Sequence, residues 1–236
     1  QREAKTAASL KHENLVSVFD FGESDSKHYI VMDFLKGKNL KEYIDTNHKF
    51  QLDELLDIFI QIGKGLAHAH SKNIIHRDIK PANIQLMERN LVKITDFGLA
   101  KFQNSQSDLT TEGSMLGSLG YISPEQLIDT KSVDFKADIF SFGASMYELV
   151  TGKLVFKGDN IGSTMYNILN IKPKSILEEI PHFSPKIEKI IFNCLEKDPE
   201  KRYSNMNEVI KELEYCLNKD NLNKIVIQKS SEHYNK

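Results

Sequence analysis

One short stretch of the chain combines residues that could move a phosphoryl group. The run His76-Arg77-Asp78-Ile79-Lys80-Pro81-Ala82-Asn83 is followed, thirteen residues after Asn83, by Asp96-Phe97-Gly98. Asp78 offers a carboxylate that can accept a hydroxyl proton. Asn83 and Asp96 offer hard oxygen atoms, which are the ligands that Mg²⁺ prefers. These residue types at this spacing predict transfer of a γ-phosphoryl group from a nucleotide to a hydroxyl.

Further segments match the same known family. The stretch above fits the protein-kinase signature H-R-D-L-x-x-x-N plus D-F-G, with Ile79 in place of Leu. Ser123-Pro124-Glu125 stands where the family has A-P-E, and residues 138–143 resemble its D-x-W-S-x-G. Residues 197–202 resemble the late segment of the family that carries an Arg. The chain therefore resembles a eukaryotic-like Ser/Thr protein kinase of the bacterial type over roughly residues 1–217.

The resemblance assigns the chemistry to particular side chains. Asp78 would accept the hydroxyl proton, and Asn83 and Asp96 would hold Mg²⁺, or Mn²⁺, on the phosphates of ATP. Lys80 is the residue type that the family uses when the acceptor is Ser or Thr, because its ammonium can neutralise charge that develops on the phosphoryl group. Ser118 replaces a Thr of the family, and its hydroxyl can still bond Asp78 and Lys80. A protein substrate with a Ser or Thr acceptor is therefore implied.

The nucleotide site implied by the resemblance lies where a predicted strand ends. Met32 would be the gatekeeper, and backbone groups of Asp33 and Leu35 would bind the edge of adenine. Glu3 would pair with the Lys that holds the α- and β-phosphates. Gln85 stands where the family normally places Leu or Met under the adenine ring. The lost apolar contact, on the order of 1–2 kcal/mol, predicts weaker ATP binding unless the Gln85 amide bonds the purine.

A long polar loop over residues 96–125 corresponds to the activation loop of the family. Thr110 and Thr111 lie where related bacterial kinases carry phosphothreonines, and Arg77 would bind such a phosphate. Phosphorylation would then order the loop. The alternative is a flexible loop without modification.

Three residues are expected to hold the site together and take no part in the reaction. The resemblance pairs Glu125 with Arg202 in a buried ion pair. It also makes Asp138 the acceptor for backbone N–H groups of the loop that carries Asp78. Removing one partner of a buried pair typically costs about 3–5 kcal/mol, so Arg202→Ala is expected to unfold the domain before it affects the chemistry.

The elements that position these residues follow from the periodicity of the apolar side chains. Residues 16–22 and 28–33 alternate and carry Val, Phe, Tyr and Ile, which predicts a hairpin. Residues 52–70 and 134–151 predict long helices. The second is apolar on nearly all sides, as a buried central helix would be. A final helix is predicted to begin with Ser204 as its N-cap.

The predicted fold class is α+β, a protein-kinase-like fold with a mainly helical C-lobe and the remaining part of a small β-rich N-lobe. The expected division is a partial N-lobe over residues 1–35, a C-lobe over 36–217 and a polar tail or linker over 218–236. The sequence carries neither the G-x-G-x-x-G-x-V loop nor the V-A-I-K strand of the family. We therefore expect an N-terminally truncated domain, fused to further domains in a longer protein and inactive as an isolated fragment.

Composition argues against several other classes of function. The 236 residues include 31 Lys and Arg against 33 Asp and Glu, so a net charge of −2 gives no electrostatic case for nucleic acid or an anionic membrane as the main partner. Cys194 and Cys216 lie in amphipathic patterns, which predicts reduced core thiols. No apolar run approaches the roughly 18 residues of a membrane span. A cytoplasmic location is expected, either free or as the cytoplasmic part of a membrane-anchored protein.

Two other functions remain open on the sequence alone. A non-catalytic, pseudokinase-like scaffold would share the fold, although such modules usually lose the equivalent of Asp78 or Asp96. A small-molecule phosphotransferase of related fold would lack the A-P-E segment and the peptide-docking helices that are recognisable here. Upstream sequence discriminates the first alternative, because it shows whether the nucleotide-binding Lys is present.

Overall fold

Two small β-sheets and a larger set of helices make up the part of the chain that the computed structural model describes, which is residues 10–24, 27–97, 117–129 and 133–218. The strands are β1 (Val18–Ser24), β2 (Lys27–Met32), β3 (Gly37–Asn39), β4 (Ile84–Met87) and β5 (Val92–Ile94). The helices are α1 (Leu40–Asp45), α2 (Leu52–Ser71), α3 (Pro124–Ile128), α4 (Lys136–Thr151), α5 (Ile161–Asn170), α6 (Ile176–Glu179), α7 (Pro185–Cys194) and α8 (residues 206–218).

Strands β1 and β2 form the hairpin that the alternating pattern predicts. The pairing is antiparallel, with Val18 opposite Met32 and Ser24 opposite Lys27. Phe19 is 66 % exposed, and Tyr29 and Val31 are exposed as well. The hairpin therefore presents apolar side chains that no described residue covers.

The second sheet has β4 in its centre, antiparallel to β3 on one side and to β5 on the other. Strand β3 was not predicted, because three residues are too few to show an alternating pattern. Gly37 permits its close approach, since a Cβ at that position would lie 2.4 Å from the carbonyl oxygen of Leu86. The sheet matters for the site because β4 carries Gln85 and begins directly after Asn83.

Helix α4 is buried on nearly all sides, as its sequence predicts. It packs against α7, where a Cβ on Gly143 would lie 2.7 Å from the Cβ of Cys194. The helix ends at Gly152, whose φ of 74° is a left-handed C-cap conformation that glycine adopts without strain. A central helix enclosed in this way can hold loops on several sides at once.

The predicted start of the last helix was wrong by one residue. Asn205 caps α8, because the Glu208 N–H donates to Asn205 Oδ1 at 3.2 Å. Ser204 instead donates its N–H to the Glu208 carboxylate at 3.0 Å. Helices α3 and α6 were not predicted, since five and four residues are too short to show a helical period. Among the described helices, none is both long enough and apolar enough to cross a bilayer.

Candidate active site

The loop that carries Asp78 is held by one buried carboxylate on α4. Asp138 is fully buried, and its two oxygens accept the His76 N–H and the Arg77 N–H, each at 2.8 Å. His70 Nε2 lies 2.8 Å from Asp138 Oδ2. Burial opposes ionisation of Asp138, but the bonds from His70 and His76 hold the pKa of this carboxyl below its ordinary value. The loop is therefore tied to a charged group inside the protein.

The Asp78 carboxylate lies within hydrogen-bond distance of two other polar side chains of the loop. Asn83 Nδ2 donates to the Asp78 carbonyl at 2.8 Å and to Asp78 Oδ2 at 3.0 Å. Lys80 Nζ lies 2.9 Å from the same Oδ2. Asp78 Oδ1 makes no hydrogen bond with a described residue, and the side chain is 38 % exposed. One oxygen is thus held in place while the other can accept a proton from a ligand.

Asp96 is placed beside Asn83 by the residue between it and β5. The Thr95 N–H donates to the Asn83 carbonyl at 2.9 Å, and His76 Nε2 lies 2.7 Å from the Thr95 carbonyl. The ring of His76 packs edge-on against Phe97 with ring centroids 4.4 Å apart. Backbone bonds and ring packing together connect the two segments that the sequence places thirteen residues apart.

Arg77 and Asp96 both have positive φ, at 69° and 62°. Residues other than glycine adopt this conformation seldom, and they keep it only where surrounding contacts impose it. For Arg77 those contacts are the Asp138 carboxylate and Gln126, whose Nε2 donates to the Arg77 carbonyl at 3.0 Å. Such backbone conformations are concentrated at functional sites.

The donor atoms fit a magnesium ion. Because Asn83 Nδ2 donates to Asp78, the other end of the amide, Oδ1, is left for a ligand. Asp96 Oδ2 accepts only a long bond of 3.4 Å from Thr95, and Oδ1 has no described partner. Mg²⁺ usually takes one or two protein oxygens and completes its shell with phosphate and water. In the described residues no cluster of three His, Cys, Asp or Glu side chains offers a cage for another metal.

A cleft of about 560 Å³ lies next to Asp96. It is lined by Ile30, Val31, Met32, Asp33, Phe34, Leu35, Gln85, Thr95 and Asp96. The Asp33 N–H already donates to the Ser17 carbonyl at 3.0 Å. Of the two backbone groups of Asp33, the carbonyl is therefore the one left for a ligand. Gln85 makes no side-chain hydrogen bond with a described residue. The cleft is therefore lined by apolar side chains on the β2 side, with backbone groups, Asp33 and Gln85, and with Thr95 and Asp96 at its polar end.

A buried ion pair connects α3 to the segment before α8. Arg202 Nη1 and Nη2 lie 2.6 and 2.7 Å from the two carboxylate oxygens of Glu125, and Arg202 Nε donates to the Glu196 carbonyl at 2.7 Å. Burial opposes ionisation of Glu125, but the bonds from Arg202 hold the pKa of its carboxyl below the ordinary value. This two-pronged geometry is the strongest form of the Arg–carboxylate pair.

Comparisons with known proteins agree with this geometry. Residues 1–216 match the family described as Protein kinase domain. The chain belongs to this family. It is 39 % identical to a probable serine/threonine-protein kinase of Clostridium acetobutylicum, over 92 % of this chain and 33 % of the relative. It is 38 % identical to the serine/threonine-protein kinase PrkC of Bacillus subtilis, over 98 % of this chain and 36 % of the relative.

The kinase domain spans about a third of the length of these curated relatives. Its fold is similar to that in a crystal structure of Rad53 residues 1–466 in complex with AMP-PNP, with a TM-score of 0.74 and 28 % identity. That likeness covers 89 % of this chain and 53 % of the Rad53 chain. The predicted protein-kinase-like fold class is confirmed.

Three of the predicted site residues, Glu3, Thr110 and Thr111, lie outside the described residues. Ser118 is described, and no hydrogen bond between it and Asp78 or Lys80 is present among the described residues, so its role beside them stays a prediction. Ser118 is followed by a local backbone bond, because the Tyr121 N–H donates to the Ser118 carbonyl at 3.4 Å.

Sequence reasoning missed three residues that shape the site. His70 bonds Asp138, Thr95 joins Asn83 to Asp96, and Gln126 holds the Arg77 carbonyl. Thr95 could have been noticed, because it directly precedes Asp96. Nothing in the sequence marks the other two, since their partners lie 68 and 49 residues away.

Proposed function

We propose that the domain transfers the γ-phosphoryl group of ATP to Ser or Thr hydroxyls of protein substrates. The observation that carries the proposal is the cluster of Asp78, Lys80 and Asn83 beside Asp96 at the end of the cleft. Lys80 at 2.9 Å from Asp78 supports Ser and Thr as acceptors. The names of the relatives from Clostridium acetobutylicum and Bacillus subtilis support the same acceptors.

The proposed reaction uses Asp78 to position and deprotonate the acceptor. The hydroxyl proton passes to Asp78 Oδ1, the acceptor oxygen forms a bond to the γ-phosphorus, and the bond from that phosphorus to the bridging oxygen of ADP breaks. Lys80 neutralises charge that develops on the transferred group. Asn83 and Asp96 would hold Mg²⁺, which supplies charge neutralisation at the phosphates. The cleft would bind adenine through the Asp33 carbonyl and the Leu35 N–H, beside Met32.

Arg77 is the proposed receptor for a phosphate on the activation loop. Its guanidinium forms no ion pair with any carboxylate among the described residues, while its backbone is held on both sides. A phosphothreonine at 110 or 111 would supply nearly two negative charges to that guanidinium. Phosphatase treatment should then lower activity, and variants with Ala at both positions should be insensitive to the phosphatase.

The test is transfer of labelled phosphate from Mg-ATP to a generic protein substrate by the full-length protein. Asp78→Asn should lower the rate by about a hundredfold or more, because positioned general bases contribute factors of that size. Asp159→Asn is the matched control, since Asp159 is exposed and makes no ion pair with a described residue. Label is expected on Ser or Thr.

The alternative outcome has a clear meaning. If a folded full-length protein transfers no phosphate, or if Asp78→Asn transfers as fast as the control, the proposal is wrong. A non-catalytic scaffold with the kinase fold would then be the better interpretation. Nucleotide binding without transfer would point in the same direction.

A further inference from the structure

A second buried charge cluster lies away from the reacting groups. Glu148 on α4 has a side chain that is only 2 % exposed. Lys41 Nζ on α1 lies 3.0 Å from Glu148 Oε1, and the Tyr121 hydroxyl donates to Glu148 Oε2. The two partners come from segments far apart in sequence, so one carboxylate joins three parts of the chain.

The charges within this cluster are well defined. Burial would lower the pKa of Lys41, but the hydrogen bond and ion pair with Glu148 outweigh it and raise the pKa above its ordinary value. Burial, reinforced by the Glu148 carboxylate, raises the pKa of Tyr121 well above its ordinary value. Tyr121 is therefore a neutral donor, and Lys41 is the cation. Asp45, which is exposed, also lies 3.1 Å from Lys41 Nζ.

The position of the cluster connects the two sides of the site. Helix α1 begins directly after β3, and Asn39 at the end of β3 pairs with Gln85, which lines the cleft. On the other side, the Tyr121 carbonyl accepts a bond of 2.7 Å from Ser141 on α4. The helix that follows Tyr121 touches the catalytic loop, since Gln126 donates to the Arg77 carbonyl.

We propose that Lys41 is a positioning residue for the protein acceptor. By neutralising Glu148 it holds Tyr121 in place, and with it residues 117–123, which lead into the helix that contacts the Asp78 loop. Without a cation at this position, Glu148 would be a buried charge with one neutral donor. Such an uncompensated charge is strongly destabilising, and residues around Tyr121 would shift to expose it to water. The inference rests on the proposed phosphotransfer. It predicts a larger effect on the acceptor than on the nucleotide, because Glu148 contacts Tyr121 directly, whereas α1 reaches the cleft only through β3.

Steady-state kinetics of the full-length protein test the inference. Lys41→Met keeps most of the aliphatic stem and removes the charge. It should raise KM for the protein substrate about tenfold, within the range of coupling between contacting residues, and leave KM for ATP and kcat nearly unchanged. Lys41→Arg should restore the wild-type KM. Lys153→Met is the matched control, because Lys153 forms a comparable 2.9 Å pair with Glu179 at the surface.

A double variant separates the charge from the packing. Lys41→Met combined with Glu148→Gln removes cation and buried anion together, so it should be closer to wild type than Lys41→Met alone. It also keeps the test available if the single variant fails to fold. An unchanged KM for the acceptor in Lys41→Met, or an equal loss of affinity for ATP, would overturn the inference.

Hydrogen exchange provides a readout that needs no activity. Amides of residues 117–129 should exchange faster in Lys41→Met than in wild type or Lys153→Met. If the wild-type protein transfers no phosphate, the proposed function fails, while the exchange data still show whether Lys41 holds this segment. Unchanged exchange in an active protein would overturn the role of Lys41 alone.

Discussion

The loop that carries Asp78 and the β1–β2 hairpin are stabilised by different kinds of contact. The loop is held by buried polar groups: Asp138 binds two of its N–H groups, and the neighbouring helix α3 is fixed by the pair between Glu125 and Arg202. The hairpin is held by its own ladder and presents Phe19 and other apolar side chains that no described residue covers. The candidate active site therefore depends on contacts from distant parts of the chain, whereas the β2 side of the cleft depends on local strand pairing.

This difference indicates where substitutions should destabilise the domain most. When one partner of a buried ion pair is removed, no water takes its place beside the remaining charge. The loss of stability is therefore large. An exposed apolar residue loses little when it is replaced, because it was never removed from water. The same size of side-chain change should thus have very different effects in the two regions.

The largest effect on stability should follow from breaking the ion pair between Glu125 and Arg202. Arg202→Ala removes the guanidinium that pairs with Glu125 and leaves this half-buried carboxylate unpaired. It is expected to lower the free energy of unfolding by about 3–5 kcal/mol. Urea unfolding followed by circular dichroism measures it. Lys201→Ala is the matched control, since Lys201 is exposed and lies 4.0 Å from Asp198. Equal stability of the two variants would contradict this account.

Acid should lower the free energy of unfolding through the same region, by less than Arg202→Ala does. The pKa values of Asp138 and Glu125 lie below those of the ordinary carboxyl groups. Their stabilisation is therefore fully present above the ordinary values and is lost as pH falls through the lower, folded-state values. Unfolding free energies measured between about pH 6 and pH 3 should fall. Asp138→Asn should flatten this profile and Asp159→Asn should not; identical slopes would argue against the assignment.

A smaller effect is expected in the floor of the cleft. Gln85→Leu should strengthen ATP binding by on the order of 1–2 kcal/mol, because it restores apolar contact with the base. Isothermal titration of the full-length protein with Mg-ATP measures it, and Gln85→Asn serves as the control that keeps an amide. Weaker binding by Gln85→Leu would instead show that the amide bonds the purine.

The smallest effect is expected on the hairpin. Phe19→Thr replaces an exposed side chain in a strand by a good strand former and should change the unfolding free energy by less than about 0.5 kcal/mol. Thermal unfolding of wild type and variant checks this. A larger loss of stability in the full-length protein would reveal a segment that covers this face. The two regions would then differ less in their sensitivity to substitution.

The sequence predicted most of what depends on periodicity and on motifs. The stripe of α2 and the enclosed α4 were visible in the pattern of apolar residues, and the motifs marked Asp78, Asn83 and Asp96. Strand β3 was missed because three residues carry no period. His70 and Gln126 were missed because their roles depend on which segments meet in three dimensions. Long-range pairing of single polar residues leaves no local signal, so it could not be inferred from one sequence.

The bond from His76 to Asp138 has a consequence for the order in which the protein is made. The two residues are 62 positions apart, and a ribosome adds roughly 5–20 residues per second. The loop that carries Asp78 therefore leaves the ribosome several seconds before the carboxylate that shapes it. During synthesis the candidate active site is therefore made early and assembled late, because the Asp78 loop can take its final shape only after α4 has docked.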